Sequence, residues 1–356
     1  MTIGLVTSLS GIDLPLGADV RLGAQQAVDE QNLGGGIGGH TASLLVIDDR
    51  SVAAQSATAF GSLVASHSAG VIGPLSAAGA EAVSALSVKR RLPLLSTAGS
   101  DPVAGLSPRA PGNVFLAAPA ASRTAERMLG YAKVASITAL AVAHPVGDGF
   151  ADAAVAVLGA EAGQYGARIV TDQPFDPATV DFSPLIAGVR ASGAKLLLVY
   201  GAGSAPPIIE RAWKDSGLGI PILFSVASCS TAFVRTLSDA GEGALIECSS
   251  SVLAPSFPAG SATRRLVDPV AATFQRRNGY YPTQAAFTGY GAARLLLRAI
   301  QDAESTDPAK IDTALARLEL STASGPYKFT ASDHRGLPTS WLSIAVVKGG
   351  KLSPAP

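Results

Sequence analysis

Short apolar runs alternate with longer amphipathic segments along most of this chain. Residues 3–8 and 196–200 are runs of strand type, and the first is followed by a segment in which Val20, Ala24 and Ala27 recur at helical spacing. Strands that alternate with helices of roughly 10–15 residues are typical of parallel sheets built from right-handed crossovers. The pattern therefore predicts an α/β fold.

The strand–helix series occurs twice, once before and once after Pro119. Two series predict two doubly wound lobes, each with a mostly parallel sheet. The tail from residue 265 contributes helices and two short strand candidates, residues 327–329 and 343–347, but no full sheet of its own. It must pack on lobes already made, so the chain is expected to cross between the lobes more than once and to leave a ligand cleft between them.

Composition fits this picture and excludes several classes of function. The chain has 356 residues, which is enough for two domains, and 47% of them are hydrophobic while 15% are charged. Lys plus Arg and Asp plus Glu both number 27, so the formal net charge is zero and nothing indicates a nucleic-acid partner. No apolar run approaches the ~18 residues that a membrane helix needs.

The beginning of the sequence bears on the cellular compartment. It opens directly on a strand-type run without a basic segment before it, so no signal peptide is visible. This favours either a cytoplasmic protein or an exported one whose sequence starts at the mature domain. Cys229 and Cys248 do not decide between the two. If their strands are neighbours, the sulfurs can bridge; otherwise they are free buried thiols.

The runs in residues 71–79 and 92–100 are the most informative part of the sequence for a ligand site. Each is a short strand that ends in small and hydroxyl residues, and residues 80–90 between them are typical of a helix. Two parallel strands would then end side by side, at the edge of an open α/β sheet where small molecules bind. The start of a helix just after Leu75 favours an anion there. We interpret the two loops as the anchor of a ligand site, with an ordinary pair of strand-to-helix turns as the alternative.

The sequence shows no recognisable motif for nucleotide binding, metal binding or catalysis. Residues 34–39 match the spacing G-x-G-x-x-G, but the order here is helix, glycines, strand, which is typical of a helix cap and turn. The histidines and cysteines lack metal-site spacing: they are His40, His67, His144, His334, Cys229 and Cys248. Asp48 and Asp49 have two interpretations. They could bind a metal or act as an acid/base pair, or they could be turn and helix-cap residues. We therefore expect no metal and no cofactor.

The order of short motifs along almost the whole chain resembles a known family. The motifs are Ile3-Gly4-Leu5, Leu9-Ser10-Gly11, Gly23-Ala24, Asn32, Gly35 to Gly39, Asp48-Asp49, Val71-Ile72-Gly73-Pro74, Pro93-Leu94-Leu95-Ser96, Asp181-Phe182-Ser183, Gly289-Tyr290, Ala292, Gly325-Pro326-Tyr327 and Asp333-His334-Arg335-Gly336. Together they are similar to the type I periplasmic binding proteins that serve as solute receptors of ABC importers, in the branched-chain amino-acid receptor group.

The resemblance implies two lobes joined by three crossover segments, near Pro119, Ser249 and Thr330. Lobe 1 would comprise residues 1–119 plus 250–329, and lobe 2 residues 120–249 plus 330–356. The ligand would lie in the cleft and be trapped by hinge closure. Carried over by position, the ligand-binding residues would be Leu16, Ser76, Ala77, Ala78, Gly99 and Ser100 from lobe 1, and Asp148, Ala202 and Ala227 from lobe 2.

The second-lobe residues depart from those of amino-acid receptors. Such receptors usually bring an acidic residue to the ammonium group where this chain has Ala227, and aromatic residues where it has Asp148 and Ala202. An ammonium without an acceptor in a closed cleft is penalised by desolvation. Either Asp148 takes the acidic role or the ligand has no ammonium. The tail run from Phe329 to Leu337 is similar to members that bind aromatic or other non-amino carboxylates.

The resemblance therefore predicts an extracytoplasmic receptor, periplasmic or anchored at the cell surface, that captures a small carboxylate. Its partner would be the membrane permease of an ABC importer. An aromatic or other non-amino carboxylate is the preferred ligand, with a branched-chain or other amino acid next. Two alternatives are a sensor on the same fold, which would need an output partner, and an α/β enzyme, which would need a nucleophile–base pair. We expect no enzyme activity.

Overall fold

The computed structural model describes residues 1–104, 112–237 and 241–355. The chain forms two compact units, each assembled from two separate segments. Unit 1 comprises Met1–Ala120 and Ala259–Pro338, and unit 2 comprises Ala121–Pro258 and Thr339–Pro356. The α/β class and the division into two lobes agree with the sequence analysis.

Strands and helices alternate through the first segment of each unit. Residues 1–120 form β1 (Thr2–Thr7), α1 (Leu14–Leu33), β2 (Ser43–Asp48), α2 (Ala53–Ala65), β3 (Val71–Ile72), α3 (Ala77–Arg90), β4 (Leu94–Ser96) and β5 (Val114–Leu116). Residues 121–258 form α4 (Ala121–Val134), β6 (Ala139–Pro145), α5 (Gly149–Glu161), β7 (Arg168–Phe175), α6 (Ser183–Ser192), β8 (Leu196–Val199), α7 (Ala205–Asp215), β9 (Ile222–Phe224), α8 (Thr231–Thr236) and β10 (Leu245–Ser249).

The last hundred residues complete both units. Residues 259–338 form α9 (Ala262–Asn278), α10 (Gln284–Ala303), α11 (Pro308–Leu315), β11 (Glu319–Thr322) and β12 (Gly325–Lys328). Residues 339–355 form β13 (Leu342–Lys348) and β14 (Lys351–Pro354).

The sheet of unit 1 has the strand order β2-β1-β3-β4-β5, and every pair in it is parallel. The order reverses between β1 and β3, because β2 lies on one side of β1 while the later strands follow on the other. In open α/β sheets, ligands bind at such a reversal, beyond the carboxyl ends of the strands. The loops after β1, β3 and β4 are therefore where a ligand of unit 1 is expected to bind.

The sheet of unit 2 repeats this arrangement and extends it. Its parallel part has the order β10-β9-β8-β6-β7, with the reversal between β6 and β8, and β13 and β14 are added antiparallel beyond β10. Alternate residues of the strands contribute to two separate apolar clusters. One includes Leu197 and Phe224 and packs with α6 and α7, while the other includes Leu198 and Leu223 and packs with α4 and α5. Helices on both faces make this a doubly wound unit.

A disulfide joins Cys229 and Cys248, a pairing that the sequence had left open. Cys229 lies just beyond the end of β9, and Cys248 is part of β10. The two strands are parallel neighbours, which brings the Cα atoms to 5.3 Å, within the ordinary range for a bridge. The bridge therefore ties the loop after β9 to the next strand of the sheet.

Two of the three unit boundaries lie nine residues later than predicted, at residues 258/259 and 338/339. Residues 250–258 stay with unit 2 because Val252, Leu253 and Phe257 pack on one of its apolar clusters. Residues 330–338 stay with unit 1 because the ring of His334 stacks on Phe115, with the centroids 4.0 Å apart. Both boundaries are set by side-chain packing of residues that follow a strand. The spacing of apolar residues along the sequence does not reveal such packing.

The tail run around His334 is used for packing within unit 1. His334 Nδ1 donates to the carbonyl oxygen of Val114 at 3.0 Å, and Arg335 is paired with Asp333. The pKa of His334 is lowered, because burial outweighs the opposing effects of the Val114 and Gly112 carbonyls and of Asp333. These contacts account for the run without a ligand, so its similarity to aromatic-acid receptors carries little weight for the ligand.

Candidate functional site

The loop after β3 prepares a helix N-terminus at the carboxyl edge of unit 1. Gly73 has φ +94°, and a Cβ there would lie 1.9 Å from the carbonyl oxygen of Val6, so the loop can leave β3 only through a glycine. Ser76 then caps α3, its hydroxyl accepting the amide of Gly79 at 3.1 Å. Ala77 and Ala78 are the first two residues of the helix, whose amides have no partner within it.

The loop after β4 lies against the loop after β3. Thr97 Oγ1 donates to the carbonyl oxygen of Pro74 at 2.9 Å and so joins the two loops. Gly99 and Ser100 follow, both buried. Ser100 is fully buried, and none of the described residues forms a hydrogen bond with its hydroxyl. Buried hydroxyl groups in proteins nearly always form a hydrogen bond, so one without a protein partner indicates a site for a ligand or a water molecule.

Leu16 belongs to the first turn of α1 and is 41% exposed. The start of α1 is pressed against the end of β1. A Cβ on Gly17 would lie 1.9 Å from the carbonyl oxygen of Ser8, and Thr7 Oγ1 donates to the carbonyl oxygen of Gly17. In unit 1 the structure therefore places Gly99 and Ser100 on the loop after β4, which is joined to the loop after β3. Ser76 caps α3, Ala77 and Ala78 begin that helix, and Leu16 comes after the neighbouring strand β1.

Asp48 and Asp49 hold the loop between β1 and α1. Asp48 accepts the amide of Leu9 and the hydroxyl of Ser10, and Asp49 accepts the hydroxyls of Ser8 and Ser56. Burial acts to raise the pKa of Asp48, but its hydrogen bonds together hold the pKa below the ordinary value. Across residues 1–104, 112–237 and 241–355, no group of three or more His, Cys, Asp or Glu residues is placed to hold a metal ion. The turn interpretation of this pair is the one that the contacts support.

The predicted residues of unit 2 follow three neighbouring strands. Asp148 comes after β6, Ala202 after β8 and Ala227 after β9, so all three lie at the same edge of the sheet. Ala202 and Ala227 are exposed. Asp148 caps α5, and its Oδ1 accepts the amides of Phe150 and Ala151 at 3.0 and 3.1 Å. From the sequence, a role of this carboxylate toward an ammonium group was one of two alternatives, the other being a ligand without an ammonium, and its role as a helix cap was not foreseen.

Unit 2 also has polar groups beside these positions that were not predicted from the sequence. Ser225 and Ser228 are buried just after β9, and the described residues provide no hydrogen-bond partner for their hydroxyls. Glu247, inside β10, is fully buried as well, and the backbone of Val226 and the charge of Arg127 act on its carboxyl group. The signal was present in the sequence as a glutamate inside the otherwise apolar strand Leu245–Ser249. A charged residue in a central strand is rare unless it has a partner or a function.

Several known proteins are similar to this chain over nearly its whole length, in sequence or in structure. Leu/Ile/Val-binding protein BraC3 of Rhizobium johnstonii is 27% identical over 361 residues, covering 99% of this chain and 93% of that protein. The isoleucine complex of LivJ, a branched-chain amino acid transporter substrate binding protein from Streptococcus pneumoniae, superposes with a TM-score of 0.83 at 20% identity, covering 99% and 97%. A solute binding protein of an ABC transporter from R. palustris, in complex with benzoate, has a TM-score of 0.81 at 19% identity, covering 99% and 94%.

The fold and its carboxyl-edge loops thus define a solute-binding receptor of the ABC-transporter type rather than an enzyme. The sequence profile described as periplasmic binding protein matches residues 1–351. The chain belongs to this family, and within its type I members to the branched-chain amino-acid receptor group. Membership implies an extracytoplasmic location. Within the described ranges, no helix is both long and apolar enough to cross a membrane.

Proposed function

We propose that this receptor binds a small organic carboxylate and delivers it to the membrane permease of an ABC importer. The observation that carries the proposal is the buried Ser100 hydroxyl, which lacks a partner among the described residues and lies on a loop joined to the N-terminus of α3. The first-turn amides of α3 and the helix dipole favour a negative charge there. A carboxylate accepts hydrogen bonds from both kinds of donor.

The relatives support the carboxylate as the shared feature. The LivJ structure is a complex with isoleucine and the R. palustris structure a complex with benzoate. These two ligands differ in size, shape and the presence of an ammonium group, but both carry a carboxylate. Binding sites for these two ligands share the task of holding a carboxylate and differ in what surrounds the rest of the ligand. An anchor made largely of backbone amides fits the shared task, because it does not depend on particular side chains.

The side chains of unit 2 guide the proposal for ligand class. Ala202 and Ala227 are small, exposed and apolar, which leaves room for a bulky apolar body and no acid at those positions. Burying such a body contributes about 25 cal/mol per Å². We therefore prefer an aromatic or other non-amino carboxylate, with a branched-chain or other amino acid as the second candidate. The second candidate needs Asp148 or another acid for the ammonium.

Replacing Ser100 with alanine should weaken binding of the carboxylate by about 1.5–3 kcal/mol, the usual value of a hydrogen bond to a charged group. The melting temperature of the free protein should stay the same, because the hydroxyl has no partner among the described residues that the change would strand. Calorimetry with the best ligand from a thermal-shift screen of benzoate, leucine, isoleucine and 4-methylpentanoate measures the first effect.

Ser84→Ala is the matched control for this variant, because Ser84 lies on α3 and its hydroxyl donates to the carbonyl oxygen of Glu81. It should leave binding unchanged. Ala77→Glu, which places a carboxylate on the first helical residue, should weaken binding as well. Wild-type affinity in both Ser100→Ala and Ala77→Glu would place the anchor elsewhere.

Asp148→Asn tests the ligand class with little risk to the fold, because asparagine is also a good N-cap. If the ligand is a non-amino acid such as benzoate, its affinity should be unchanged in the variant. Calorimetry of wild type and variant with benzoate and with isoleucine gives the comparison. Tight isoleucine binding by the wild type that collapses in Asp148→Asn would reverse our preference in favour of an amino acid.

A further inference from the structure

Asp49 is a buried acid at the carboxyl edge of the sheet of unit 1, and its side chain joins three elements there. It directly follows β2 and is 1% exposed. Its Oδ1 accepts the hydroxyl of Ser8 at 2.7 Å, and its Oδ2 accepts the hydroxyl of Ser56 at 2.8 Å. Ser8 comes just after β1 and Ser56 lies on α2, and both are buried. The carboxylate therefore ties the end of β1 and the helix α2 to the end of β2.

The bond to Ser56 reaches the first turn of α3. Gly79 is the third residue of that helix, and a Cβ there would lie 2.7 Å from the hydroxyl oxygen of Ser56 and 2.9 Å from that of Ser76. Cβ atoms in proteins do not come so close to another heavy atom, so only glycine fits at this position. Ser76 is the cap of α3, and its hydroxyl accepts the amide of Gly79. The Ser56 hydroxyl, held by Asp49, therefore packs directly on the capped end of α3.

The bond to Ser8 acts on the start of α1 in the same way. The backbone of Gly17, in the first turn of α1, packs on the carbonyl oxygen of Ser8, since a Cβ on Gly17 would lie 1.9 Å from that oxygen. Thr7, the residue before Ser8, donates from its hydroxyl to the carbonyl oxygen of Gly17 at 3.1 Å. By holding Ser8, Asp49 also holds the segment on which α1 begins.

The turn that carries Asp49 has an unfavourable backbone. Arg50 and Ser51 follow it with φ +57° and +58°. The left-handed region is unfavourable for residues other than glycine and persists where the surrounding structure holds it, often at functional sites. Asp49 Oδ1 accepts the amide of Ser51 at 3.1 Å, and this bond is sufficient for a turn. The bonds to Ser8 and Ser56 are additional, and both are directed at other elements of unit 1.

We propose that Asp49 is a positioning residue for carboxylate binding, which fixes the first turn of α3 through Ser56 and the start of α1 through Ser8. The inference rests on the proposed function, because that function assigns the N-terminus of α3 to the carboxylate of the ligand. An acid can support an anion site in this way because two hydroxyls and one amide compensate its charge. Binding groups that lose such support no longer hold their productive geometry, and affinity falls.

The test uses whichever of benzoate, leucine, isoleucine and 4-methylpentanoate the wild type binds most tightly in calorimetry. Asp49→Ala should weaken its binding about tenfold, the effect of misplacing one hydrogen bond to a charged group. Asp49→Asn should bind like the wild type, because the amide oxygen can accept from Ser8 and Ser51 while the amide nitrogen donates to Ser56. Ser56→Ala, a milder change that removes only the contact toward α3, should weaken binding about threefold.

Asp19→Ala is the matched control. Asp19 is another buried acid of unit 1, on α1, and it accepts the hydroxyls of Tyr280 and Thr283 at the start of α10. Both alanine variants leave two buried hydroxyls without their acceptor, so both should lower the melting temperature of the free protein. Only Asp49→Ala should lower the affinity.

Amide hydrogen exchange without ligand provides a second measurement. The amides of Gly79 and Ala80 bond the hydroxyl and the carbonyl oxygen of Ser76, so they report whether the first turn of α3 stays in place. They should exchange faster in Asp49→Ala than in the wild type, and at the wild-type rate in Asp19→Ala.

Wild-type affinity in Asp49→Ala would overturn the inference and leave the proposed function standing. If that variant does not fold, wild-type affinity in Ser56→Ala has the same meaning. Equal weakening in Asp49→Ala and Asp19→Ala would assign the effect to general loss of stability, and Asp49→Asn as weak as Asp49→Ala would assign it to the lost charge; either result would overturn the inference. Failure of the wild type to bind any of the four acids would instead contradict the proposed function, and the inference with it.

Discussion

Replacing Gly289 with alanine should destabilise the protein by about 3 kcal/mol or more, and Gly23→Ala should have a similar effect. The two glycines let α1 and α10 pack backbone against backbone. A Cβ on Gly23 would lie 1.9 Å from the carbonyl oxygen of Ala286, and a Cβ on Gly289 would lie 2.1 Å from the carbonyl oxygen of Val20. No side-chain rotation relieves either clash, so the helices would have to separate and expose the apolar surface between them.

Guanidinium unfolding followed by circular dichroism measures this change. Gly130→Ala is the matched control, because Gly130 lies inside α4 and a Cβ there meets nothing within 4 Å. Removing a glycine from a helix interior stabilises the helix by roughly 0.5–1 kcal/mol, so the control should change stability in the opposite direction. Stability of Gly289→Ala equal to or above that of the wild type would show that the helices do not pack so closely.

Removing the disulfide by Cys229→Ala/Cys248→Ala should cost about 3 kcal/mol, the value that chain entropy predicts for closing a loop of this length. The bridged residues are 19 positions apart, and both sulfurs lie in an apolar cluster of unit 2. An extracytoplasmic location allows such a bridge to persist. The change should act on unit 2, since both residues belong to it.

Tryptophan fluorescence reports this effect selectively, because the only two tryptophans of the chain, Trp213 and Trp341, belong to unit 2. The double variant should unfold at a lower guanidinium concentration than the wild type. A reducing agent should bring the wild type to the same midpoint and leave the variant unchanged. A variant that matches the oxidised wild type, or a wild type indifferent to reductant, would contradict the prediction.

Much of the fold could be predicted from the sequence because the relevant signals are local. The apolar runs and helical spacings marked the strands and helices of both units, and their alternation marked the parallel sheets. The glycine run after α1 was correctly interpreted as a turn: α1 ends at Leu33 and the next strand begins at Ser43. The motifs that carried the family resemblance were also visible in the sequence. The presence of glycine at two of their positions, 23 and 289, is explained by the close packing of α1 and α10.

The roles of individual side chains were less predictable. The sequence located the loop of Ser76 and the loop of Ser100, but the tertiary structure assigned the Ser76 hydroxyl to a helix cap and left the Ser100 hydroxyl without a partner among the described residues. It likewise assigned Asp148 Oδ1 to the cap of α5. A serine or an aspartate at the end of a strand has the same appearance in a sequence whether it holds the backbone or waits for a ligand.

The sequence by itself determined the α/β class, the presence of two lobes and the loops in which the candidate site residues lie, because each depends on neighbours a few residues apart. Only the tertiary structure decided that Cys229 bridges Cys248, where the later unit boundaries fall, and that Ser225 and Glu247 stand side by side. These facts depend on which strands are neighbours and in what register. Strand order and register are set by packing across the whole unit, between residues far apart along the chain.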